Sequence, residues 1–259
     1  MLKKINATFS GLLSIITAAT ATVTILSSSV KAADFRPYRF VSGQESIRLD
    51  ADALNSLKAI GLNLSVVDNV VPPAEGFDFG WPVLPPATNP GDRGTSFEFL
   101  YDEETDTFVP ISGTIEFNGS LFFDFDPTKF SVASPLQLGE LSVFFNENYE
   151  FFAIDTVTTN LPIMTVNTFE APTIDLKNRT WFLEPIELVF TTEFSNFLIN
   201  AAITPESANE VASLIPGLKI GEARGDRGFI PLDTASVPEP SILLAMFVVT
   251  GTVLVARKK

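Results

Sequence analysis

The sequence predicts a mainly β protein, an antiparallel sandwich or barrel with two short helices and one C-terminal transmembrane helix. Two observations support the β-domain: short apolar runs alternate with polar residues through the middle of the chain, and Pro, Asn and Gly interrupt these runs at short intervals. A third observation, an uncharged apolar run close to the C-terminus, supports the transmembrane helix. No alternation of strands with long helices is visible, so βαβ units are not expected.

The clearest strand pattern is the segment ISGTIEFNGSLFFDFDP. Ile115 and Phe117 alternate with polar residues before Asn118-Gly119, and the alternation resumes over 121–125. Because Asn-Gly is favoured in two-residue turns, this segment predicts a hairpin. Similar runs predict strands at Phe97–Tyr101, Leu138–Phe145, Tyr149–Val157, Trp181–Leu183, Ile186–Phe194 and Phe197–Ile203.

Two segments carry the signals of short helices. DADALNSLKAIGL offers Asp50 or Asp52 as an N-terminal cap and Gly61 as a C-terminal stop. TPESANEVASLIPGL offers Thr204 as a cap and Pro205 at the first helical position, and a Pro-Gly pair follows its last apolar residue. Each segment therefore predicts one helix.

The segment from Val71 to Gly94 contains six prolines together with Phe77 and Trp81. Because proline cannot donate to a strand ladder, the segment cannot form a central strand, and a long loop is expected. Two interpretations are open: the aromatic side chains pack over the sheet, or they form a surface that contacts a sugar or a partner.

Composition excludes several classes of function. The net charge is −14, and all 31 acidic residues lie between Asp34 and Glu239, so the middle of the chain repels phosphate backbones and nucleic-acid binding is not expected. The chain contains no histidine and no cysteine, which excludes Ser-His triads and His- or Cys-ligated zinc. A carboxylate-based carbohydrate hydrolase remains open as an alternative, although no catalytic motif is present.

One acidic segment is a candidate cation site. YDEETD places Asp102, Glu103, Glu104 and Asp106 close together, and such oxygen ligands can bind Ca²⁺. The spacing is not that of an EF-hand loop, so a solvated hairpin tip is the alternative. No other cofactor is expected.

A second short pattern is the tetrapeptide GDRG, which occurs at 91–94 and again at 225–228. Glycine on both sides of a charged pair is typical of loops. Each copy therefore predicts a Gly-rich loop with a local Arg–Asp pair.

The N-terminus has the three parts of a secretory signal peptide. A basic start at Lys3 and Lys4 is followed by an apolar, Thr- and Ser-rich run, and small residues precede a cleavage position between Ala32 and Ala33. Residues 1–32 are therefore predicted to be a signal peptide, and a retained membrane anchor is the alternative.

The C-terminus, SVPEPSILLAMFVVTGTVLVARKK, contains an uncharged run from Ser241 to Ala256, which is about 24 Å long as a helix at roughly 1.5 Å per residue. We interpret it as a transmembrane helix. The basic stop formed by Arg257, Lys258 and Lys259 is expected on the cytoplasmic side, which leaves the acidic domain outside.

The order of Pro238-Glu239-Pro240, an apolar helix and a terminal basic cluster resembles the PEP-CTERM sorting signal of exported proteins in Gram-negative bacteria. The resemblance covers residues 236–259. It implies processing by an exosortase-type membrane enzyme and an association with extracellular polysaccharide and biofilm matrix. The two prolines also prevent helix formation before the span, which leaves an extended strip for a protease.

Residues 33–235 form the predicted exported β-domain, and part of it, from Asp50 to Leu121, resembles the HtaA-like exported β-domains. The likeness lies in an early amphipathic helix ending in Gly, the stretch FDFGWPV and the later GTIEFNGSL. HtaA-like domains are associated with haem uptake. Because this chain contains no histidine, we take the resemblance to imply an exported β-domain and not haem binding.

Together these patterns predict an exported protein of the cell surface or extracellular matrix, sorted through its C-terminal signal, with a structural or binding role. An enzymatic role is not expected. The alternatives are the carboxylate-based hydrolase and a permanently anchored single-span membrane protein.

Overall fold

A computed structural model describes residues Asp34–Leu232, which form strands and three short helices. The strands are β1 (Arg36–Leu49), β2 (Leu62–Val67), β3 (Phe79–Pro82), β4 (Glu98–Asp102), β5 (Thr107–Ser112), β6 (Ile115–Glu116), β7 (Ser120–Phe125), β8 (Leu136–Gly139), β9 (Ser142–Phe145), β10 (Phe151–Ile154), β11 (Pro162–Thr168), β12 (Thr173–Asp175), β13 (Thr180–Phe190) and β14 (Lys219–Pro231). The helices are α1 (Ala51–Ala59), α2 (Thr192–Ala201) and α3 (Pro205–Leu214).

Eleven of these strands form one antiparallel sheet, in the order β5-β4-β1-β14-β13-β11-β10-β9-β6, with β3 beside β1 and β12 beside β13. Within this sheet, β1 pairs with β14 from Tyr38 opposite Pro231 to Leu49 opposite Gly221. The first and last described strands therefore lie side by side. This confirms the predicted antiparallel, mainly β class.

The sheet curls until its two sides meet. β3 pairs with β1, and just beyond β3 the amide of Val83 donates to the carbonyl of Gly43 at 2.9 Å. The next amide, of Leu84, donates to the carbonyl of Glu116 in β6 at 2.7 Å. Because β6 also pairs with β9 on the far side, these bonds close a ring of strands. Of the two predicted architectures, the ring corresponds to the barrel.

A second sheet, β2-β7-β8, adds its apolar face to the same core. Leu121 and Phe123 of β7 and Leu138 of β8 are buried there. Helix α1 leads from β1 into this sheet, so the N-terminal segment links both sheets.

Strand β14 shows how the sequence divides inside from outside. Ala223, Arg227 and Phe229 are buried, while Arg224 and Asp226 between them remain partly exposed. Successive side chains of a strand point to opposite faces, so the alternation places an arginine on the inner face of the ring.

Both predicted helices are confirmed. A carboxylate oxygen of Asp50 accepts from the amide of Ala53 at 2.9 Å at the start of α1, so Asp50 and not Asp52 is the cap. Gly61 follows that helix with a φ of 96°. Thr204 caps α3, and Pro205 begins it, as predicted.

The predicted strand at Phe197–Ile203 is wrong, because most of these residues belong to α2, a helix that was not predicted from the sequence. Thr191 caps this helix by accepting from the amide of Phe194 at 3.1 Å. Phe194, Leu198 and Ala201 fall on one helical face and are buried. The apolar run thus has a helical period, and the prediction mistook it for a strand.

The predicted hairpin around Asn118-Gly119 is also wrong. β6 pairs with β9 and β7 pairs with β2 and β8, so the two runs belong to different sheets. The chain passes between the sheets at Gly119, whose φ is 149°. A Cβ atom at Gly119 would lie 2.1 Å from the indole ring of Trp81, so this glycine is needed for close packing and not for a tight turn.

Several strand boundaries differ from the prediction as well. The runs Trp181–Leu183 and Ile186–Phe194 form one strand, β13, with an irregularity in its pairing between Leu183 and Ile186. The run Leu138–Phe145 splits into β8 and β9, which lie in different sheets. Apolar runs alone do not reveal where a strand leaves one sheet for another.

The Pro-rich segment is not one long loop as expected, because its residues Phe79–Pro82 form strand β3 beside β1. Its aromatic side chains pack against the rest of the protein, which agrees with the first of the two interpretations. Trp81 is 1% exposed, and its indole nitrogen donates to the carbonyl of Asp68 at 2.7 Å. Phe77 is half-buried beneath the guanidinium of Arg48, 5.7 Å from the ring centre.

The predicted signal peptide with its Ala32–Ala33 cleavage position and the predicted sorting signal (residues 236–259) lie outside the described residues. Within 34–232, no helix is both long enough and apolar enough to span a bilayer.

Replacing Gly119 with alanine is expected to lower the free energy of unfolding by about 3 kcal/mol, since the new methyl group must displace the buried indole of Trp81. Urea unfolding measures the change. Gly217 provides a matched control, because it also has a positive φ, of 76°, but nothing lies within 4 Å of its Cβ position. Gly217→Ala is expected to cost only about 1 kcal/mol. Equal losses in the two variants would contradict the packing role of Gly119.

Candidate functional site

A cavity of about 560 Å³ lies inside the ring of strands. Its walls are predominantly aromatic and aliphatic, and Leu121, Phe123 and Leu138 of the second sheet contribute to them. Most of these side chains are buried, so the cavity is part of the core itself. Its volume falls within the roughly 300–1,000 Å³ that is usual for sites of small molecules.

Two charged residues in the lining are deeply buried. Arg227 of β14 is 5% exposed and Glu45 of β1 is 9% exposed, and one terminal nitrogen of the guanidinium, Nη2, donates to a carboxylate oxygen of Glu45. The other, Nη1, donates to the carbonyls of Gln44 and, at 3.1 Å, of Asp226. The pair is thus fixed by the main chain as well as by its own charges.

Cross-strand register places these side chains together. Trp181 of β13 lies opposite Arg227, and Gly225 lies opposite both Glu45 and Leu183. A Cβ atom at Gly225 would lie 3.3 Å from both terminal nitrogens of Arg227 and 3.0 Å from the ring of Trp181. Because Gly225 has no side chain, the guanidinium of Arg227 has room to lie at this position.

Aromatic rings flank the guanidinium of Arg227. Its central carbon lies 5.2 Å from the ring centre of Phe117 and 5.7 Å from that of Trp181, distances at which a cation is attracted to the ring faces. Trp181 also meets Phe40 edge to face at 5.3 Å. The rings hold the cation in one position at the wall of the cavity.

Two hydrogen-bond donors at this wall remain unused. The Nε of Arg227 and the indole Nε1 of Trp181 are buried, and neither has a partner within residues 34–232. Buried donors are usually paired, so each such group requires an explanation. Both belong to side chains that line the cavity, which makes this wall the candidate binding site.

Burial raises the pKa of the Glu45 carboxyl, because the apolar surroundings disfavour its charged form. The neighbouring Arg227 acts in the opposite direction through its charge and its hydrogen bond, and Asp226 adds a smaller upward effect. The net direction is upward, so Glu45 takes up a proton more readily than an ordinary glutamate.

The cavity reaches the surface at one group of exposed lining residues. Tyr149, before β10, is 42% exposed, and Thr168, Glu170 and Ala171, between β11 and β12, are exposed as well. Phe169 in the same segment is 64% exposed. We call Tyr149 and the segment 168–172 the mouth of the cavity.

Of the four calcium candidates, Asp102 ends β4, and Glu103, Glu104 and Asp106 lie in the turn before β5. Asp102 is buried and accepts from the amide of Glu104 at 2.9 Å, whereas Glu103 and Glu104 are exposed. Asp106 accepts from the Tyr101 hydroxyl at 2.8 Å; burial and this bond raise the pKa of Tyr101 to about 12. Across residues 34–232, no three acidic side chains are arranged to hold a metal ion.

The predicted local Arg–Asp pair is confirmed at the second GDRG copy, where Asp226 pairs with the preceding Arg224 at 3.0 Å, and is wrong at the first. In the first copy, Arg93 reaches Glu116 at 2.9 Å and also Glu140, both distant in sequence. In the second, Arg227 pairs with Glu45. This second copy also lies within strand β14 and not in a loop, because its glycines sit where neighbouring side chains need room.

None of the three residues of this wall, Glu45, Trp181 and Arg227, was among the site residues predicted from the sequence. One signal was available: in KIGEARGDRGFIP every second residue from Gly221 to Phe229 is small, apolar or Arg227, which is the period of a strand. Because glycines are typical of loops, the segment was interpreted as a loop and its two-residue alternation was overlooked. The pairing of Arg227 with Glu45 could not be inferred in this way, since 182 positions separate them.

The fold and the site define a closed antiparallel β-domain with an internal cavity large enough for a small molecule. No protein-family model matches the chain, and no curated protein matches it. Among solved structures it is similar to the C-terminal domain of HtaA from Corynebacterium glutamicum, at 15% sequence identity and a TM-score of 0.42, over 74% of this chain and 99% of that one. At these values the similarity establishes neither a common family nor a common ligand.

Replacing Glu45 with glutamine is expected to change how stability depends on pH. The folded state keeps the Glu45 proton to higher pH than the unfolded state, so this residue makes the wild type lose stability as pH rises from about 4.3 to the raised pKa. The variant lacks that loss, which is at most about 1.4 kcal/mol per pH unit. Urea unfolding of both proteins between pH 4 and pH 8 measures the difference.

Glu222 on the outer face of β14 is the control for this experiment. Hydrogen bonds from Lys219 and Arg48 lower the pKa of its carboxyl, so its contribution to stability is lost as pH falls. The difference in free energy of unfolding between wild type and variant should therefore change with pH in opposite directions for Glu45→Gln and Glu222→Gln. Parallel slopes would contradict the assigned state of Glu45.

Proposed function

We propose that the protein is an exported binding protein that holds an apolar small molecule inside its ring of strands. The observation that carries this proposal is the internal cavity of about 560 Å³, which has apolar walls and reaches the surface at the mouth. Sites of this kind are typically apolar, with a few polar groups that orient the ligand. The wall of Glu45, Trp181 and Arg227 supplies those polar groups.

We further propose that the protein acts at the cell surface or in the extracellular matrix. The signal-peptide pattern of residues 1–32 and the sorting-signal pattern around Pro238, Glu239 and Pro240 support export and processing by an exosortase-type enzyme. Extracellular polysaccharide is the proposed surrounding material. The net charge of −14 argues against nucleic acid as a partner.

The site supports binding better than carbohydrate hydrolysis. A glycosidase requires two carboxyl groups that face each other across a cleft, one of them available as a proton donor. In this cavity Glu45 is engaged by Arg227, and the other acidic lining residue, Glu170, lies at the exposed mouth. Apart from the wall of Glu45, Trp181 and Arg227, the buried lining is apolar and offers few hydrogen bonds to the many hydroxyl groups of a sugar.

The neutral fluorescent probe N-phenyl-1-naphthylamine is expected to bind the full chain with a blue-shifted, enhanced emission. Ala153 lines the cavity and is 2% exposed, so Ala153→Phe should fill part of the volume and weaken binding by at least about tenfold. Fluorescence titration at matched protein concentration measures both affinities.

Ala208→Phe adds the same ring on α3, away from the lining, and should leave probe binding unchanged. Urea unfolding of both variants verifies that they fold. Equal binding by the wild type and Ala153→Phe, with both folded, would show that the probe does not occupy the cavity and would remove the support for this function.

Replacing Pro238, Glu239 and Pro240 together by alanine is expected to leave the hydrophobic tail on the exported protein, because the extended strip offered to the processing enzyme is lost. Intact masses of the protein in the membrane and medium fractions of its host measure the outcome. Trimming of the variant at the wild-type position would refute the sorting role of this motif.

A further inference from the structure

We propose that the cavity selects an amphipathic anion, an apolar body that carries one carboxylate or sulfonate head, and that Arg227 and Trp181 bind the head. This inference rests on the proposed binding function and specifies its ligand class.

The first argument is the unused hydrogen-bonding capacity of the wall. Arg227 Nε and Trp181 Nε1 are both donors, and donors require an acceptor. Carboxylate and sulfonate heads consist of acceptor oxygens, and they carry several, so one head can receive both bonds. An amine head would bring further donors and would leave these two groups unpaired.

The second argument is charge. Among the lining residues of the described chain, Arg227 is the one cation, and it is 95% removed from solvent at its position beside Phe117 and Trp181. A guanidinium presents several N–H groups in a planar fork that matches carboxylate geometry. Glu45 occupies Nη2 of this fork and main-chain carbonyls occupy Nη1, which leaves Nε as the unused donor.

The third argument concerns the proton on Glu45. Two anions against one guanidinium would leave an excess negative charge in an apolar wall, which is costly. The charged groups near Glu45 are its partner Arg227 and Asp226, while Glu170 lines the same cavity at the mouth. Because burial already raises the pKa of Glu45, it can take a proton from solvent when the head arrives, and the net charge of the wall stays the same.

Two probes with the same apolar body separate this inference from the proposed function. 1-Anilinonaphthalene-8-sulfonate carries a sulfonate that N-phenyl-1-naphthylamine lacks. The wild type is expected to bind the anionic probe at least about tenfold more tightly at pH 6, as charge-assisted hydrogen bonds allow. Fluorescence titrations of the full chain with each probe measure this preference.

Arg227→Met is expected to abolish the preference for the anionic probe while it retains the neutral probe. Arg224→Met is the matched control, because Arg224 lies on the outer face of the same strand and pairs with Asp226 at 3.0 Å. It should retain the full preference. A preference that persists in Arg227→Met, or that is lost equally in Arg224→Met, would overturn the inference.

Trp181→Phe tests the site without changing its charge, should Arg227→Met leave Glu45 unpaired and fail to fold. It removes one donor and keeps an aromatic ring, so it should weaken the anionic probe by about threefold to tenfold and leave the neutral probe nearly unchanged. Equal effects on the two probes would indicate that Trp181 contributes packing only.

Glu45→Gln tests the coupled proton. Affinity of the wild type for the anionic probe should rise as pH falls from 8 to 5, by up to about tenfold per unit, because Glu45 takes up one proton on binding. The glutamine variant, which resembles the protonated state, should bind tightly without this pH dependence. An unchanged pH dependence in the variant would exclude Glu45 as the group that takes up the proton.

The outcomes keep the two proposals distinct. If neither probe binds the folded wild type, the proposed binding function fails and the inference fails with it. If the neutral probe binds and the wild type shows no preference for the anionic probe, only the inference fails, and water molecules then satisfy the two donors.

Discussion

The pairing of β1 with β14 is the interaction on which the rest of the structure depends. It joins residues 38–49 to residues 221–231, near the two ends of the described chain, and these are the longest paired strands of the large sheet. β13 then adds to the other side of β14, and β3 and β4 add to β1. Because the other strands of the large sheet extend from this pair, the register of β1 with β14 determines which of their side chains face inward.

That register also produces the ion pair. A shift by one residue would turn the inner residues of β14 outward, and Arg227 would leave the cavity. In the observed register Gly225 lies between Glu45 and Leu183, and because it has no side chain the guanidinium of Arg227 fits beside it. Burying an ion pair usually costs more in lost hydration than its attraction returns, so this pair indicates a role other than stability.

Local signals predicted the elements whose cause is local. The caps Asp50 and Thr204 and the early proline of α3 act within one helical turn, and the structure confirms them. The hairpin predicted at Asn118-Gly119 was wrong because Gly119 is required by a distant contact. It leaves room for the indole ring of Trp81, which lies in another part of the chain. The candidate site was beyond prediction for the same reason, since its two charged residues meet only after the whole sheet has formed.

Because the protein is acidic, an anionic ligand can be attracted only at short range, by the buried Arg227. The net charge of −14 repels an approaching anion at long range, and the exposed carboxylate of Glu170 lies at the mouth. Inside, the low dielectric of the apolar walls strengthens the interaction with Arg227, because little water screens it. Salt shortens the reach of the outer repulsion to about 8–10 Å and leaves the buried contact largely unaffected. The arrangement therefore favours anions whose apolar body gains enough from burial to offset the outer repulsion, and it discriminates against small hydrated anions that have no such body.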